Sequence, residues 1–403
     1  MLPSDLAQAY PTPFFVYDAA AIRARLQELN DAFSGMPVHL FYAVKANDNR
    51  SILRLAAEAG IGACLVSEGE MKRALAGGIP ASRMLMNGVG KTRIEIRAAL
   101  QAGIGQLNIE SLPELEQVGQ IAAEMGLRVP ICLRLNPEIM ARAHHYTTTA
   151  RREDKFGILV EDLPKARRII ARLPALDWRG FSCHIGSQIQ GVDALAASYR
   201  ALLELFAEEA RTQPAFDRLD LGGGFGVSYR GDAYARPADY AALLRPLITE
   251  LLPVGATIQL EPGRFIVAEA GTLLTQVLHV KYSGDVRFLV VDAAMNNLIR
   301  PALYGAYHPI TSLRSSEAPL TPATVVGPVC ESADVFSIDH LLPADLAAGD
   351  LLAIGCAGAY GHTMSSQYNA RPRLAEVLVD GDSHRLIRRA FSAEEYDALT
   401  LVD

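Results

Sequence analysis

Four short segments carry the side chains with the most chemical reach. Tyr42-Ala43-Val44-Lys45-Ala46-Asn47 ends an apolar run in a lysine, and an amine with a lowered pKa can attack a carbonyl to form a Schiff base. Phe181-Ser182-Cys183-His184-Ile185-Gly186-Ser187-Gln188 sets a histidine and a serine at the end of another run. Leu219-Asp220-Leu221-Gly222-Gly223-Gly224-Phe225-Gly226 follows a third, and successive glycines let backbone N–H groups crowd round a phosphate. Glu261-Pro262-Gly263-Arg264 closes a fourth with a carboxylate and, three residues on, a guanidinium. Singly, each has an ordinary reading: a surface lysine, a hydrogen-bonded structural histidine, a tight turn, a surface ion pair.

Such residues act together only if a scaffold gathers strand ends. From about Pro37 to Val280 a short apolar run, a polar or glycine-rich turn and an amphipathic stretch recur, which is the βα pattern. The runs are Val38–Val44, Ala63–Val66, Arg83–Met86, Gln106–Asn108, Ile131–Leu135, Phe181–Cys183, Arg218–Asp220 and Thr257–Leu260, with helical stretches such as Arg50–Ala59, Gly69–Ala76, Thr92–Ala102 and Leu112–Met125 between them. Eight runs suit a (β/α)8 barrel, whose catalytic residues sit at the C-terminal strand ends. An open doubly wound sheet has the same rhythm, so periodicity leaves that choice open. All four segments close such runs, and an amine, a ring-sized side chain, a phosphate cradle and a carboxylate make pyridoxal 5'-phosphate (PLP) the economical explanation. After Gly271, strand-like segments at Leu273–Val280, Arg287–Val291, Ala323–Val326, Asp350–Ile354 and Ala375–Val379 separated by Gly, Pro and Asp turns predict an antiparallel β domain.

Bulk properties exclude several other classes. Half of the 403 residues are hydrophobic and 21% are charged, the balance of a globular protein with a large core. The formal net charge of −7 and the absence of a basic run argue against nucleic acid. No apolar stretch reaches membrane-span length and the start, Met1-Leu2-Pro3-Ser4-Asp5, lacks a leader pattern, so no membrane association and a cytoplasmic location are expected. The cysteines Cys64, Cys132, Cys183, Cys330 and Cys356 are widely spaced with no C-x-x-C pair, so neither a metal site nor a disulfide framework is indicated.

The motifs, taken in order, resemble those of the fold-type III PLP-dependent decarboxylases, and within them the diaminopimelate decarboxylases. The resemblance runs from about Pro13 to Arg389 and rests on Y-A-V-K-A-N at Lys45, G-V-G-K-T at Gly88–Thr92, K-F-G at Lys155–Gly157, H-I-G-S-Q at His184–Gln188, the glycines at Gly222–Gly224 and E-P-G-R at Glu261–Arg264. It continues through I-R-P-A-L-Y at Ile299–Tyr304, C-E-S at Cys330–Ser332, and G-A-Y-G then M-S-S-x-Y-N within Gly358–Asn369. It implies a PLP-binding (β/α)8 barrel of the alanine racemase type over 28–278, a C-terminal antiparallel β-sandwich or β-barrel domain over 279–403, and a segment 1–27 that joins the β domain. It also implies that Lys45 bonds the cofactor, that His184 lies against its ring, and that Ser187, Gly222, Gly223, Gly224, Gly263, Arg264 and Tyr360 hold its phosphate. Glu261 would pair with the ring nitrogen and keep it protonated, which makes the ring a full electron sink.

For the substrate, the resemblance assigns Arg264, Arg300 and Tyr304 to a far carboxylate and Glu331 to a far amino group, with Tyr360 also touching substrate, a set that describes meso-2,6-diaminopimelate with L-lysine as product. Planar guanidinium forks suit a carboxylate better than a lysine does. A sister decarboxylase of a citrate-conjugated diamino acid would use the same arginines, and a non-catalytic PLP-binding relative is the more distant alternative. Cys330 and Glu331 are expected to reach the neighbouring subunit's site, which implies a homodimer with shared sites and Cys330 as a catalytic residue. Three departures stand out. Gly62-Ala63-Cys64 replaces the usual G-A-D, Met295-Asn296-Asn297 replaces M-N-D, and His144-His145-Tyr146-Thr147-Thr148-Thr149 follows H-P-Y-I-S-T-G only loosely.

Overall fold

In the computed structural model, which describes residues 3–136 and 155–400, the chain divides into two units. One comprises Leu26–Gly226 and Ala233–Gly263, the other Met1–Arg25, Val227–Asp232 and Arg264–Asp403. The divergent segment His144–Thr149 lies outside the described residues.

Strand β1 (Phe14–Asp18) belongs to the second unit. The first unit contains β2 (Val38–Ala43), β3 (Gly62–Leu65), β4 (Met84–Met86), β5 (Gln106–Ile109), β6 (Val129–Arg134), β7 (Leu176–Ser182), β8 (Arg218–Asp220) and β9 (Thr257–Leu260). Each pairs in parallel with the next, and β9 returns to β2 with Val38 opposite Ile258. That last pairing closes the sheet, so the fold is a barrel and not an open doubly wound sheet. All eight expected runs are strands, although β7 begins five residues before Phe181. Its polar first half, Leu176-Asp177-Trp178-Arg179-Gly180, hides the strand in the sequence, and the pairing with β6 shifts register there. Gly180 is required by close approach: a Cβ would sit 1.8 Å from the Arg218 carbonyl oxygen on β8.

Four successive helices of the barrel unit start where side chains satisfy free backbone N–H groups. Asn49 accepts from the Ser51 N–H to open Arg50–Glu58. Ser67 opens Glu68–Ala76, a Thr92–Glu95 capping box opens Arg93–Gln101, and Ser111 opens Leu112–Glu124. Their apolar faces, such as Ile52, Leu53, Leu55 and Ala56 of the first, are buried.

The second unit is a nine-stranded sheet ordered β14-β13-β11-β10-β1-β16-β17, with β15 pairing β10 and β12 pairing β15. The ranges are β10 (Gly271–Ser283), β11 (Val286–Val291), β12 (Ile310–Ser312), β13 (Leu320–Val326), β14 (Val335–Pro343), β15 (Leu351–Ile354), β16 (Ala375–Asp380) and β17 (Ser383–Arg388). The expected purely antiparallel arrangement is corrected at two places, because β1 runs parallel to β16 and β11 parallel to β13. Neither pair is joined by a hairpin, so no tight turn imposes the antiparallel sense. Phe14 on β1, Leu274 on β10 and Val377 on β16 pack with Leu6 in one core. The fully buried Glu376 is satisfied there by the Tyr17 hydroxyl, at 2.6 Å, and by Arg388.

The G-V-G-K-T segment is held in the barrel unit by its lysine. Lys91 Nζ donates to the Gly88 and Asn108 carbonyl oxygens at 2.7 and 2.8 Å and pairs with Glu114 Oε1 at 2.6 Å, its side chain fully buried. Burial pushes the Glu114 carboxyl up and Lys91 opposes the shift. Lys91→Met is therefore expected to strand a buried acid and to cost about 3–5 kcal/mol, read as a lower midpoint in chemical denaturation. A midpoint equal to that of the parent would show that the pair does not hold the loop.

Candidate active site

Alternation along β5 sets the base of the site. Leu107 and Ile109 point one way, while Gln106, Asn108 and, one step past the strand, Glu110 point the other. Asn108 Nδ2 donates to Asn87 Oδ1 at 2.7 Å and to Asp220 Oδ2 at 2.8 Å, and Asn87 Nδ2 donates to Glu261 Oε1 at 2.7 Å. The C-terminal ends of β4, β5, β8 and β9 are thereby tied together through the buried Asn108, Asp220 and Glu261 and the half-buried Asn87.

Lys45 stands in a single helical turn, Val44–Ala46, that follows β2, and the Tyr42 hydroxyl supports the turn by donating to the Asn47 carbonyl at 2.9 Å. The lysine is exposed at the rim, not buried. Its charge acts on His184, Cys64 and Glu70, so these groups share its surroundings. Burial pushes the Glu70 carboxyl up to about 7. Cys64 is buried, accepts a hydrogen bond from Asn87 at 3.2 Å, and is pushed well above the usual thiol range by burial and by the Glu261 carboxylate. The departure at Cys64 thus replaces an acid by a neutral group.

The glycine run is dictated by packing on three sides. A Cβ on Gly222 would lie 2.7 Å from His184 Nδ1, one on Gly223 would lie 2.3 Å from the Glu261 carbonyl oxygen, and one on Gly224 would lie 2.7 Å from the Gly186 carbonyl oxygen. Gly222 N–H donates to Asp220 Oδ1 at 2.8 Å and Gly223 N–H to His184 Nδ1 at 3.3 Å. Two of the three amides expected to face a phosphate are therefore engaged within the protein. The loop positions His184 and Asp220 as well as leaving room without side chains. Although part of His184 stays accessible, burial, reinforced by Lys45 and Arg134, pushes its imidazole down to about 3. It is a neutral ring whose Nδ1 accepts and whose proton sits on Nε2.

Glu110 docks two of the remaining motifs. Its Oε1 accepts from Arg134 Nη1 at 2.6 Å and from the Gly88 N–H at 3.0 Å, and its Oε2 accepts from the Gly157 N–H at 3.2 Å. G-V-G-K-T and K-F-G share this one carboxylate. Gly263 packs its backbone against the end of β2, where a Cβ would meet the Ala43 Cβ at 2.9 Å, and the Ala43 N–H donates to the Pro262 carbonyl at 3.0 Å. Ser187 is exposed.

The second unit gathers a basic and aromatic cluster. Arg264 Nη1 donates to the Tyr229 hydroxyl at 2.8 Å, with its guanidinium 4.8 Å from the Tyr360 ring centre. Arg300 opens the turn Arg300–Tyr304, is only 7% exposed, and lies 4.9 Å from the Tyr229 ring centre. Its Nη1 donates to His308 Nε2 at 2.9 Å, and His308 Nδ1 in turn faces the Gly355 carbonyl oxygen at 3.0 Å. A carbonyl can only accept, so Nδ1 carries the proton and Nε2 is free to orient Arg300. Burial pushes His308 down to about 4 and also lowers Arg300. Tyr304, Cys330 and Glu331 are exposed. The Cys330 N–H is anchored by Asn369 Oδ1 at 2.9 Å, and buried Asp334 ties the preceding turn through the Val329 N–H to the Met295 N–H. Asn297 Oδ1 accepts from the Ala294 N–H at 2.9 Å, a task that an amide oxygen performs as well as a carboxylate, so the departure at Asn297 is a turn closure.

Sequence reasoning missed Asn87, Asn108, Glu110, Tyr229 and His308. The alternation Gln106, Asn108, Glu110 within an otherwise apolar strand is the signal that finds the inner polar layer. Nothing local marks Tyr229 or His308.

The arrangement suits an enzyme that holds a carbonyl-bearing, phosphorylated aromatic cofactor. The amine, the neutral ring, the side-chain-free loop and the Glu261 carboxylate stand at the same ends of barrel strands. A family model, pyridoxal-dependent decarboxylase, pyridoxal binding domain, matches residues 19–268, and the chain belongs to that family. It is 42% identical over 392 residues to a diaminopimelate decarboxylase of Pseudomonas aeruginosa, covering 97% of this chain and 93% of that one. A Neisseria meningitidis protein of the same name is 41% identical over 391 residues, with the same coverage. The crystal structure of diaminopimelate decarboxylase from Helicobacter pylori complexed with L-lysine superposes with a TM-score of 0.91 at 39% identity and covers 98% of each chain. Among the described residues no helix is long and apolar enough to cross a membrane.

The two depressed imidazoles yield a pH expectation. Both rings should stay neutral in the folded protein from pH 8 down to pH 5, whereas a free histidine titrates near 6.5. Unfolded chain takes up protons that the folded rings refuse, so stability present above pH 6.5 should fall as pH drops below it. Nitrogen NMR of labelled histidines, assigned by His184→Gln and His308→Gln, reads this directly. Either ring protonating near pH 6.5 would refute the neutral assignment.

Proposed function

We propose that the protein uses PLP to decarboxylate meso-2,6-diaminopimelate to L-lysine and CO2, in the cytosol. The observation that carries this reading is the buried Arg300, held by His308 and Tyr229 beside Arg264, in a chain whose relatives over nearly full length are named diaminopimelate decarboxylases. A buried, pre-oriented guanidinium needs an anion, and a substrate with a second carboxylate supplies one.

In this reading Lys45 bonds the cofactor, His184 lies against its ring, and Glu261 pairs with the ring nitrogen. Ser187, Gly224, Gly263, Arg264 and Tyr360 hold the phosphate, with Gly222 and Gly223 shaping the loop from within. The bound cofactor supplies an electron sink for the pair left when CO2 departs. Arg300, Arg264 and Tyr304 fix the far carboxylate, Tyr360 also touches the substrate, and Glu331 takes the far amino group, so the end that keeps its carboxylate is held while the other end reacts. Lys45 and Cys330 carry the exchangeable protons from which the vacated carbon is reprotonated.

A CO2-release panel of meso-diaminopimelate, L-lysine, L-ornithine, L-arginine and a citryl-diaminopropionate tests the reading. Release from meso-diaminopimelate with L-lysine as product is expected. Preference for the citryl compound would move the protein to a sister activity, and preference for an amino acid lacking a second carboxylate would remove the clamp altogether. Arg300→Ala should raise KM for the preferred substrate by the equivalent of about 1.5–3 kcal/mol, with cofactor affinity little changed.

The exposure of Cys330 and Glu331 supports a second element of the proposal, a homodimer in which each chain lends these residues to its partner's site. Lys45→Ala and Cys330→Ala should each lose most activity. Once subunit exchange is demonstrated, mixing the two should restore roughly a quarter of the sites, because half of the dimers are mixed and one site in each is intact. Exchange with no returning activity would confine Cys330 to its own chain.

A further inference from the structure

One side chain of the second unit touches the proposed carboxylate clamp while being closed to any ligand. His308 is 1% exposed, so whatever it does it does through its neighbours. A sheet fixes its position. Ile310 on β12 stands opposite Ile354 on β15, and one step beyond that pair the Gly355 N–H donates to the Pro309 carbonyl oxygen at 2.8 Å. His308 Nδ1 meets the Gly355 carbonyl oxygen at 3.0 Å, which extends the ladder by one side-chain bond. A carbonyl only accepts, so the ring proton stands on Nδ1 and Nε2 presents a bare lone pair to Arg300 Nη1 at 2.9 Å. Tyr229 packs on both partners. Its ring centre lies 5.4 Å from that of His308, edge-on at 78°, and 4.9 Å from the Arg300 guanidinium, while its hydroxyl takes Arg264 Nη1 at 2.8 Å.

We propose that His308 is the positioning residue that gives Arg300 its direction, and with it the preference for a substrate carrying a second carboxylate. The inference rests on Arg300 binding that carboxylate. An arginine must give up rotamer freedom to hold an anion with two N–H groups, and a bond made beforehand to one N–H removes that freedom before the anion arrives. Only one of five N–H groups is used, which leaves the rest of the fork for the ligand. The chemical identity of the acceptor matters as much as its place. An aspartate or glutamate against Arg300 would also hold it, but would offset its charge and compete for the fork. A neutral imidazole nitrogen holds the group and leaves its positive charge to the substrate. Burial, which pushes the ring down to about 4, keeps His308 in the neutral form that this task needs.

Asparagine and glutamine separate the two bonds of the ring. An asparagine amide reaches as far as Nδ1 and can still donate to Gly355, whereas a glutamine oxygen reaches the place of Nε2 and can still accept from Arg300. In the PLP-loaded enzyme, assayed on the preferred substrate of the CO2-release panel, His308→Asn should raise KM at least about tenfold with kcat within about twofold, and His308→Gln should stay within about threefold of the parent KM. In an Arg300→Ala background His308→Asn should add less than about a further twofold, because its effect passes through the arginine. A ring that only braces the sheet gives the opposite order, glutamine worse than asparagine, and an effect that adds to that of Arg300→Ala; either result overturns the proposal. Nitrogen NMR of the substrate-free enzyme should show the His308 proton on Nδ1 and a bare Nε2 whose resonance moves in Arg300→Ala. A proton on Nε2 in the wild type overturns the proposal even where a variant fails to fold. The spectra need no substrate, so the bond between His308 and Arg300 can stand while the CO2-release panel fails, and the two failures are told apart.

Discussion

A barrel with a polar centre closes only if each amide inside it finds a partner, because an unsatisfied buried polar group costs roughly as much as several good contacts return. Asn108 is where that constraint is met. It receives from Gln106, donates to Asn87 and Asp220, and through them reaches Glu261. Remove it and β4, β5, β8 and β9 lose the side chains that tie their ends together. Glu261 would lose the support of Asn87 in the same stroke. Fold and site are thus held by the same hydrogen bonds, which explains why the barrel interior is amide-rich where apolar layers would pack as well.

Charge is handled in the two units by opposite means. In the barrel, two ionisable groups close to Lys45 are held neutral: His184 by burial, Cys64 by burial beside Glu261. In the second unit, Arg264 and Arg300 remain cations and are accommodated by aromatic faces, a hydroxyl and a neutral imidazole, none of which cancels their charge. Arg300, desolvated and held by a neutral ring and a neutral imidazole, favours an anion that can reach it.

Several motifs change meaning once their contacts are known. In G-V-G-K-T, Lys91 is spent on Gly88, Asn108 and Glu114, and the segment is a brace. The glycines after β8 serve Asp220 and His184 before any ligand. Asn297, a departure from the family's motif, closes a turn.

The eight apolar runs, the four strand-end motifs and their order were legible in the sequence, since strand period, turn residues and reactive side chains are local properties of a chain. So were the cofactor class and the family. Barrel closure was not, because it depends on Val38 meeting Ile258 across more than two hundred residues. Nor was the parallel sense of β1 with β16, which no turn encodes. The inner network and the Arg300–His308–Gly355 relay share that character: their members are unremarkable singly and gain a role only from partners brought close by the fold. Protonation belongs there too, since whether His184 is neutral depends on desolvation and neighbouring charge, which exist only in the folded protein.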